Sequence, residues 1–436
     1  MSAIVQTHTP IQFAGLPDKG ALISEFKGRH VDTLRTPAAV IDRAVFARNC
    51  ARMHDNAKAW DAKFRAHVKT HKTSEGVTLQ LRTSSDETHA IVVSTLMEAH
   101  AVVRSGLVAD KTVNDILYGL PVPVNKLEDL ASLRDELAKY GGTIRILIDH
   151  PVQVEAIEKF EEGRTESKKW SAFMKVDSGG KRAGLEPSSP AFTELLDRAL
   201  TSSHVTVYGF YCHAGQSYAS SSPEEASSFL TIELESVNNA AKLAKSRIEE
   251  LKLDASREAF ILSVGSTPTA HAANLANKAK LASLLYGDLE LHAGNYPLLD
   301  LQQLHTGLIE RSNISQYVTA TVISYYSGRG VQGRDEALCD AGAIAMSKDT
   351  GPSGTFGEVI GKPWKLGRVS QEHGILTADN LTKDESEDVK VGEIVHIIGQ
   401  HACLTLAAYP WYYIVDSSTG ANGDVVEDVW VPWKGW

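Results

Sequence analysis

The sequence predicts an α/β protein: a (β/α)8 TIM-like barrel followed by a C-terminal all-β domain. From Phe64 onward, eight short apolar strands alternate with helical patterns. This alternation is typical of a parallel sheet, and eight such units are typical of a barrel. No Gly-x-Gly-x-x-Gly turn follows the first of these strands, so a doubly wound open sheet fits less well. After about residue 310, short β-rich runs separated by Gly, Asp and Ser replace the helical patterns.

The barrel elements follow one another in a regular order. Residues 1–35 show no clear periodicity, and we expect this segment to pack on the β domain. Residues 36–42 form a predicted strand, and Asp42 can cap the helix that follows at 43–60. The eight barrel strands are predicted at 64–69, 90–94, 115–119, 143–149, 172–177, 205–213, 259–264 and 289–292. The helices between them are predicted at 95–105, 125–139, 151–162, 190–201, 223–250 and 270–280.

The predicted domain boundary falls where the helical patterns stop. The barrel domain is assigned to 36–308 and the β domain to 309–436. The strands of the β domain are predicted at 317–326, 341–347, 356–360, 394–398 and 402–408. One acidic run, 384–388, is expected to be a solvated loop.

Composition excludes several classes of function. The 436 residues carry a net charge of −10, and 43% of them are hydrophobic, which is ordinary for a globular protein of two domains. There is no basic block, so nucleic-acid binding is not expected. No apolar run approaches the roughly 18 residues of a membrane helix. The N-terminus lacks a signal or transit pattern, so a cytoplasmic protein is expected. The four cysteines are far apart, and we expect Cys50, Cys212 and Cys339 to be buried free thiols.

The first barrel strand ends in an unusual run, Arg65-Ala-His-Val-Lys-Thr-His-Lys72. Since side chains alternate faces along a strand, Arg65, His67 and Lys69 share one face, with Lys69 at the carboxyl end. This row of side chains suits the floor of a pocket for an anionic ligand. The alternative is the solvated face of an edge strand. Lys72 lies in the loop beyond, so strand parity favours Lys69 as the reactive lysine.

Two candidate phosphate sites follow the last strands of the barrel, at the end where barrels gather their catalytic groups. The run Gly265-Ser266-Thr267 precedes a helix, so its backbone admits close approach, its hydroxyls donate, and the helix N-terminus favours an anion. Gly294 and Asn295 form the second candidate. A simple helix cap is the alternative for the first. A strand-end lysine combined with a phosphate site predicts pyridoxal phosphate held as a Schiff base.

A candidate metal half-site lies in the β domain, at His401 and Cys403. If these residues open the predicted strand at 402–408, their spacing places the imidazole and the thiolate on one face. The pair suits a borderline-soft metal such as zinc and leaves positions free for water or substrate. The alternative is a partly buried histidine beside an inert thiol.

Together these residues resemble one family, the eukaryotic D-serine dehydratases. These are fold-type III pyridoxal phosphate enzymes, related to D-threonine aldolase and more distantly to alanine racemase. The resemblance runs from about Thr36 to the C-terminus, and it implies a homodimer with the active site at the subunit interface and one zinc ion per site. The motifs that carry it are Arg65-Ala-His-Val-Lys-Thr-His-Lys72, Val176-Asp-Ser-Gly-Gly-Lys-Arg182, Gly265-Ser-Thr-Pro268, Gly294-Asn-Tyr296 and His401-Ala-Cys403.

The resemblance also implies roles for individual residues. Lys69 matches the Schiff-base lysine, and His401 and Cys403 match the zinc ligands. Arg182 is the candidate partner of the pyridine nitrogen. The residues that fall where the family binds its cofactor are Tyr211, Tyr218, Thr267, Gly294 and Asn295.

The activity that the resemblance implies is the conversion of D-serine to pyruvate and ammonia. Two related activities stay open. A D-threonine aldolase reaction is one, although the related aldolases carry a carboxylate where this chain has Cys403. Dehydration of D-threo-3-hydroxyaspartate is the other, and it needs a cationic contact for the extra carboxylate. A non-catalytic pyridoxal phosphate carrier is an alternative of another class. Such carriers are typically lone barrels, and the predicted β domain with His401 and Cys403 argues against this alternative. A racemase needs a second acid/base, for which Tyr325 or Tyr326 can be proposed, but it needs no zinc.

Overall fold

Eight parallel strands close the barrel that the sequence predicts. The computed structural model describes residues 5–13, 15–254, 259–273, 285–379, 388–419 and 423–436. A first strand, β1 (Ala38–Asp42), precedes the barrel. The barrel strands are β2 (Lys63–His67), β3 (Ala90–Val93), β4 (Asp115–Pro121), β5 (Thr143–Ile148), β6 (Trp170–Val176), β7 (Val205–Cys212), β8 (Phe260–Val264) and β9 (Gly287–Ala293). Each pairs with its neighbour in the chain, and β9 pairs with β2, so the predicted barrel is confirmed.

Helices connect the barrel strands, as expected for βα units. They are α3 (Ser74–Leu81), α4 (Leu96–Arg104), α5 (Leu127–Ala138), α6 (Pro151–Glu162), α7 (Pro190–Thr201), α8 (Pro223–Glu250) and α9 (Thr267–Ala272). Before the barrel come α1 (Lys19–Phe26), which precedes β1, and α2 (Arg43–Ala59), which follows it. The carboxylate of Asp42 accepts hydrogen bonds from Ala44 N and Val45 N and so caps α2, as predicted. The sequence pattern did not predict α3. The helix predicted at 270–280 overlaps α9, but residues 274–280 lie outside the described ranges.

The C-terminal domain is built on a nine-stranded, mostly antiparallel sheet. The strands of this sheet that follow the barrel in the chain are β10 (Gln316–Tyr326), β11 (Glu336–Cys339), β12 (Gly357–Val359), β13 (Trp364–Val369), β14 (Gly374–Ala378), β15 (Ile394–Gly399), β16 (Tyr412–Val415) and β17 (Asp428–Trp430). Strand β1 also belongs to this sheet, where it pairs with β10 and β16. The predicted barrel range of 36–308 therefore includes one strand of the other sheet. Periodicity cannot reveal this, because the partners of β1 come much later in the chain.

Two of the strands predicted in the second domain are short helices. The run at 341–347 contains a helix, Ala343–Met346, and the run at 402–408 begins with a helix, Ala402–Thr405. A short apolar run does not distinguish a strand from a buried helix by its periodicity, and Ala, Leu and Met are good helix formers. The acidic run at 384–388 lies outside the described residues except for its last member.

The described N-terminal residues contact both domains. Helix α1 packs against β17, and the ring of Phe26 meets that of Tyr413 edge-on at 5.1 Å. Further upstream, Thr7 N donates to Asn125 O at 2.8 Å, next to the start of α5. Among the described residues, no helix is long and apolar enough to cross a membrane.

An ionic layer crosses the inside of the barrel. We use this name for Arg65, Asp115, Arg145 and Glu290. Arg65 is only 1% exposed, and its guanidinium pairs with Asp115 at 2.7 Å and with Glu290 at 2.9 Å. Arg145 pairs with the other oxygen of Asp115 at 2.8 Å. The face that carries Arg65 therefore lines the barrel interior, and the alternative of a solvated edge strand is wrong.

Candidate active site

A cavity at the carboxyl ends of the barrel strands gathers residues from four separate segments. Lys69, Arg182 and Tyr211, which the sequence picked out, all lie in its wall. Two cationic or polar groups that the sequence did not select, Lys175 and His213, join them. The complete lining is His67, Lys69, Gly119, Leu120, Pro121, Lys175, Asp177, Gly180, Arg182, Ala183, Tyr211 and His213.

The two lysines of the first motif have different surroundings. Lys72 forms an ion pair with the buried Glu98 at 2.9 Å. Lys69 lines the cavity, and a Cβ atom added to Gly294 would lie 3.2 Å from its Cε. The absence of a side chain at Gly294 therefore keeps space open beside the Lys69 amine. This difference agrees with the strand-parity argument for Lys69 as the reactive lysine.

The histidines around the cavity are held as neutral bases. Burial lowers the pKa of His213 well below its usual value, and the charges of Lys69, Lys175 and Arg182 lower it further. Its Nδ1–H donates to the carbonyl of Gly265 at 2.8 Å, so Nε2 is the free acceptor. His67 shows the same pKa direction, again mainly from burial and then from Lys69.

Tyr211 forms the buried side of the cavity. Its ring stacks on the imidazole of His292, with centroids 4.0 Å apart and planes 10° from parallel. The ammonium of Lys175 lies 5.0 Å from the Tyr211 ring centre. Burial lowers the pKa of Lys175. Tyr218 lies further out and borders His213, with ring centres 6.0 Å apart.

The two candidate phosphate loops touch each other. Asn295 N donates to the Thr267 hydroxyl at 3.1 Å. The Ser266 hydroxyl caps α9 by accepting from Thr269 N, and it also contacts the Ser217 hydroxyl at 2.7 Å. The helix-cap role that the sequence left open for Ser266 is thus present, and most of its hydrogen-bonding capacity is used inside the protein.

A buried glutamate binds the first of these loops and the loop after β7. Glu233, on α8, accepts a hydrogen bond from Ala214 N at 2.5 Å, and Gly265 and Thr269 also donate to it. Burial raises the pKa of Glu233 to about 7, against the lowering effect of these donors. Glu233 therefore connects the loop after β7 to the loop after β8.

His401 and Cys403 lie beside the Lys69 loop. The thiol of Cys403 is 3.0 Å from the hydroxyl of Thr70, the neighbour of Lys69. Burial opposes ionisation of this thiol, but its hydrogen bond with His401 and the charge of Lys69 lower its pKa overall. The expected strand is absent here: His401 is the N-cap of the helix Ala402–Thr405. The imidazole and the thiol meet because the chain turns at this helix start.

A carboxylate outside the predicted site lies close to this pair. Asp349 lies 3.2 Å from His401 Nδ1, on a loop that the sequence did not single out. No group of three or more His, Cys, Asp or Glu side chains in the described ranges is arranged to hold a metal ion. The protein groups that could bind a metal here are therefore the imidazole and the thiolate, as a two-ligand half-site.

Comparison with known proteins agrees with this architecture. Residues 41–279 match the alanine racemase N-terminal domain, and residues 315–415 match the putative serine dehydratase domain. A D-serine dehydratase of Schizosaccharomyces pombe is 43% identical over 96% of both chains. The D-serine dehydratase of Saccharomyces cerevisiae is 36% identical over 95% of this chain and 99% of its own. The chain belongs to the D-serine dehydratase family. It is therefore an enzyme, and its reaction class is that of a lyase.

The solved structures extend the likeness to the fold. A D-threo-3-hydroxyaspartate dehydratase, a cysteine-to-alanine variant in the metal-free form, superimposes with a TM-score of 0.76 at 29% identity. The match covers 94% of this chain and 100% of that one. Membership of the D-serine dehydratase family implies pyridoxal phosphate as the cofactor and a small amino acid as the substrate.

The residues of this family member fit that cofactor. Lys69 presents a primary amine to the cavity, and Lys175 and Arg182 add positive charge for a phosphorylated anion. Among the described residues, His213 Nε2 and Asn295 Oδ1 are buried polar atoms without a hydrogen-bond partner. Buried polar atoms of this kind usually have a partner, and both of these are acceptors, so a ligand group that donates a hydrogen bond would satisfy them.

Sequence reasoning missed several residues of this dehydratase-family site. Lys175 and His213 lie at the carboxyl ends of the strands predicted at 172–177 and 205–213, and strand parity could have selected both. Thr70 sat inside the most specific motif. Asp349 and Asp300, which contact His401 and the backbone of Ala402, carried no signal in the sequence. Arg182 lies exposed in the loop after β6 and lines the cavity, and its pairing with the pyridine nitrogen stays a prediction.

Proposed function

We propose that this protein converts D-serine to pyruvate and ammonia, with pyridoxal phosphate on Lys69 and zinc on His401 and Cys403. The observation that carries the proposal is the 3.0 Å contact between Thr70 and Cys403. It joins the loop of the reactive lysine to the metal half-site within one chain. The curated relatives with 43% and 36% identity bear the same activity in their names.

The chain's own groups divide the work. Lys69 holds the cofactor and, once freed by the incoming substrate amine, takes the α-proton at Nζ. Pyridoxal phosphate, when bound, supplies the electron sink for the charge left on Cα. Neutral His67 and His213 limit the positive charge around Lys69. The loops of Ser266, Thr267, Gly294 and Asn295 are the proposed phosphate cradle.

A metal has a task that these groups do not perform. Hydroxide is a poor leaving group, and zinc supplies a Lewis acid at the substrate hydroxyl. His401 and Cys403 have the ligand types that zinc prefers, and a thiolate disfavours harder ions such as magnesium. Asp349 is placed to accept from His401 Nδ1 and so to orient the ring. A solved relative described as metal-free carries a cysteine replacement, which is consistent with a cysteine ligand.

A second candidate activity has one observation in its favour. Dehydration of D-threo-3-hydroxyaspartate needs a cation for the second carboxylate of the substrate. Lys175 and Arg182 line the cavity together with Lys69, so that contact is available. A homodimer with the active site at the subunit interface and a cytoplasmic location stay predictions from the family resemblance.

The first experiment measures pyruvate release from D-serine while the absorbance of the bound cofactor is recorded. EDTA should abolish release, zinc should restore it, and the cofactor spectrum should persist throughout. Cys403→Ala should lower release by about a thousandfold, since Lewis-acid stabilisation amounts to several kcal/mol. Cys339→Ala, a buried cysteine of the same domain, is the matched control and should keep wild-type activity.

Three outcomes would contradict the proposal. Full activity of Cys403→Ala after EDTA treatment would remove the role of zinc. Borohydride reduction followed by peptide mass spectrometry should place the pyridoxyl group on Lys69, and a modified Lys72 instead would refute the assignment of the reactive lysine. Acetaldehyde from D-threonine, with no pyruvate from D-serine, would make the protein an aldolase.

A further inference from the structure

Asp300 is a buried carboxylate between the two halves of the site. It follows β9 in the chain, and its side chain is fully buried. Each of its oxygens has its own donors. Oδ1 accepts from Gln303 N at 2.9 Å. Oδ2 accepts from Asn295 Nδ2 at 2.5 Å and from Ala402 N at 2.7 Å. A buried carboxylate with three donors is well satisfied, and its loss is costly.

The two donors to Oδ2 belong to different functional loops. Asn295 lies in the proposed phosphate cradle and also donates its backbone N–H to Thr267. Ala402 stands between His401 and Cys403, so its amide is fixed at the centre of the metal half-site. A continuous line of hydrogen bonds therefore runs from Thr267 through Asn295 and Asp300 to Ala402.

A backbone contact runs beside this line. Gln302 N, two residues after Asp300, donates to Gln400 O at 3.0 Å, just before His401. The chain around Asp300 therefore holds the loop of His401 and Cys403 by two hydrogen bonds, from Ala402 N to Asp300 and from Gln302 N to Gln400 O. We propose that Asp300 is a positioning residue, which holds the loop of His401 and Cys403 at a set place relative to the cofactor loops. The hydrogen bonds that link the two loops are seen in the structure. Their role in positioning a metal rests on the proposed function.

An ordinary structural role is the competing explanation. Asp300 is also the N-cap of the short helix Leu301–Leu304, and that role uses Oδ1 alone. Asparagine caps helices as well as aspartate does. Asp300→Asn has one acceptor oxygen where aspartate has two. Its oxygen can accept either from Gln303 N or from Asn295 Nδ2 and Ala402 N, but not from both sides, so one of the two roles is lost.

A second variant breaks the same contact from the other side. Ala402 is the first residue of its helix, and proline is favoured at that position. His401 has φ −142° and ψ 101°, a conformation that the residue before a proline adopts. Ala402→Pro therefore removes the N–H that donates to Asp300 and places the proline ring where Oδ2 accepted, so the contact is lost while the helix start is kept. It tests the loop link if Asp300→Asn keeps that link and loses the cap, or does not fold.

The first readout is the rate at which a small thiol reagent labels Cys403 in EDTA-treated protein that retains its cofactor. Cys50, Cys212 and Cys339 are buried, whereas Cys403 is partly exposed. Release of the loop should speed labelling by about threefold to tenfold, the effect of one lost hydrogen bond. The control is Asp18→Asn, which alters an exposed helix cap whose side chain accepts from Ala21 N. It should label at the wild-type rate.

The second readout is zinc affinity, measured by competition with a chelating dye. Loss of an outer-shell partner usually weakens metal binding about 10- to 100-fold, and we expect this range for Asp300→Asn and Ala402→Pro. Wild-type labelling and wild-type zinc affinity in both variants would overturn the inference, whatever their activity. A wild-type protein that binds no zinc would instead refute the proposed function, and faster labelling of the variants would still support the Asp300 link.

Discussion

Two regions inside the same barrel carry buried charge in opposite ways. In the ionic layer, Arg65 is neutralised by Asp115 and Glu290, and Arg145 shares Asp115. The four groups pair with one another, and Ser171 and Ser263 add hydrogen bonds to Arg145 and Glu290. A buried cation costs several kcal/mol of desolvation unless it is paired, so this layer is complete without a ligand.

The wall of the cavity above the ionic layer carries more cationic than anionic side chains. Lys69, Lys175 and Arg182 line it together with a single carboxylate, that of Asp177. Within the described part of the chain, no carboxylate lies within ion-pair distance of Lys69 or Lys175. Arg65 and Lys69 are four residues apart in one motif, yet one belongs to the scaffold and the other to the site. A charged residue inside the barrel does not by itself indicate a functional site. It does so when no side chain of the protein neutralises its charge.

The largest expected effect tests whether the ionic layer is structural. Asp115→Asn leaves Arg145 without its carboxylate partner and weakens the pairing of Arg65. We expect the free energy of unfolding to fall by about 3–5 kcal/mol, as for other broken buried pairs, measured by urea denaturation. Asp288→Asn is the matched control, because Asp288 pairs with Lys63 at 3.2 Å on the exposed surface. A loss of about 1 kcal/mol or less is expected there. If Asp115→Asn and Asp288→Asn lowered the free energy of unfolding equally, the ionic layer would stabilise the fold no more than a surface ion pair does.

A smaller effect concerns the carboxylate under the cofactor loops. The folded-state pKa of Glu233, about 7, lies above its ordinary value of 4.5, mainly because of burial. The folded protein thus holds this proton more tightly than the unfolded chain. The stabilisation is complete below pH 4.5 and is lost as the pH rises through about 7. Relative to Glu233→Gln, the wild type should lose about 2–3 kcal/mol of unfolding free energy between pH 4.5 and 7.5.

The control for this pH dependence lies on the same helix. Glu235 is exposed two residues further along α8, so Glu235→Gln should reproduce the wild-type curve. Parallel curves for the wild type and Glu233→Gln would show that burial does not raise the pKa of Glu233 in the folded protein, which would contradict the prediction.

The smallest expected effect probes the cations of the cavity. Lys175→Met should lower kcat/KM for D-threo-3-hydroxyaspartate about tenfold more than for D-serine, because only the former carries a second carboxylate for the ammonium to bind. Lys181→Met, at an exposed position of the loop after β6, should change the two substrates alike. Equal losses in Lys175→Met would show that Lys175 does not distinguish the substrates, and would weaken the second candidate activity.

The predictable part of this protein was local. Eight strand positions and most helices follow from apolar periodicity and capping residues, because each pattern lies within a few consecutive residues. The wrong predictions also arise because the patterns are local. The run at 402–408 was short and apolar, so helix and strand looked alike. Strand β1 has partners in β10 and β16, which no local pattern can name.

The sequence by itself determined the barrel, the second domain, the family and the chemically distinctive residues Lys69, His401 and Cys403. Each of these depends on residue type and short-range spacing. Only the tertiary structure decided that Arg65 is neutralised and Lys69 is not. It also decided that Glu233 supports two loops and that Asp300 joins Asn295 to Ala402. These properties depend on partners brought together from distant parts of the chain, and neutralisation and hydrogen bonding are set by distance in space.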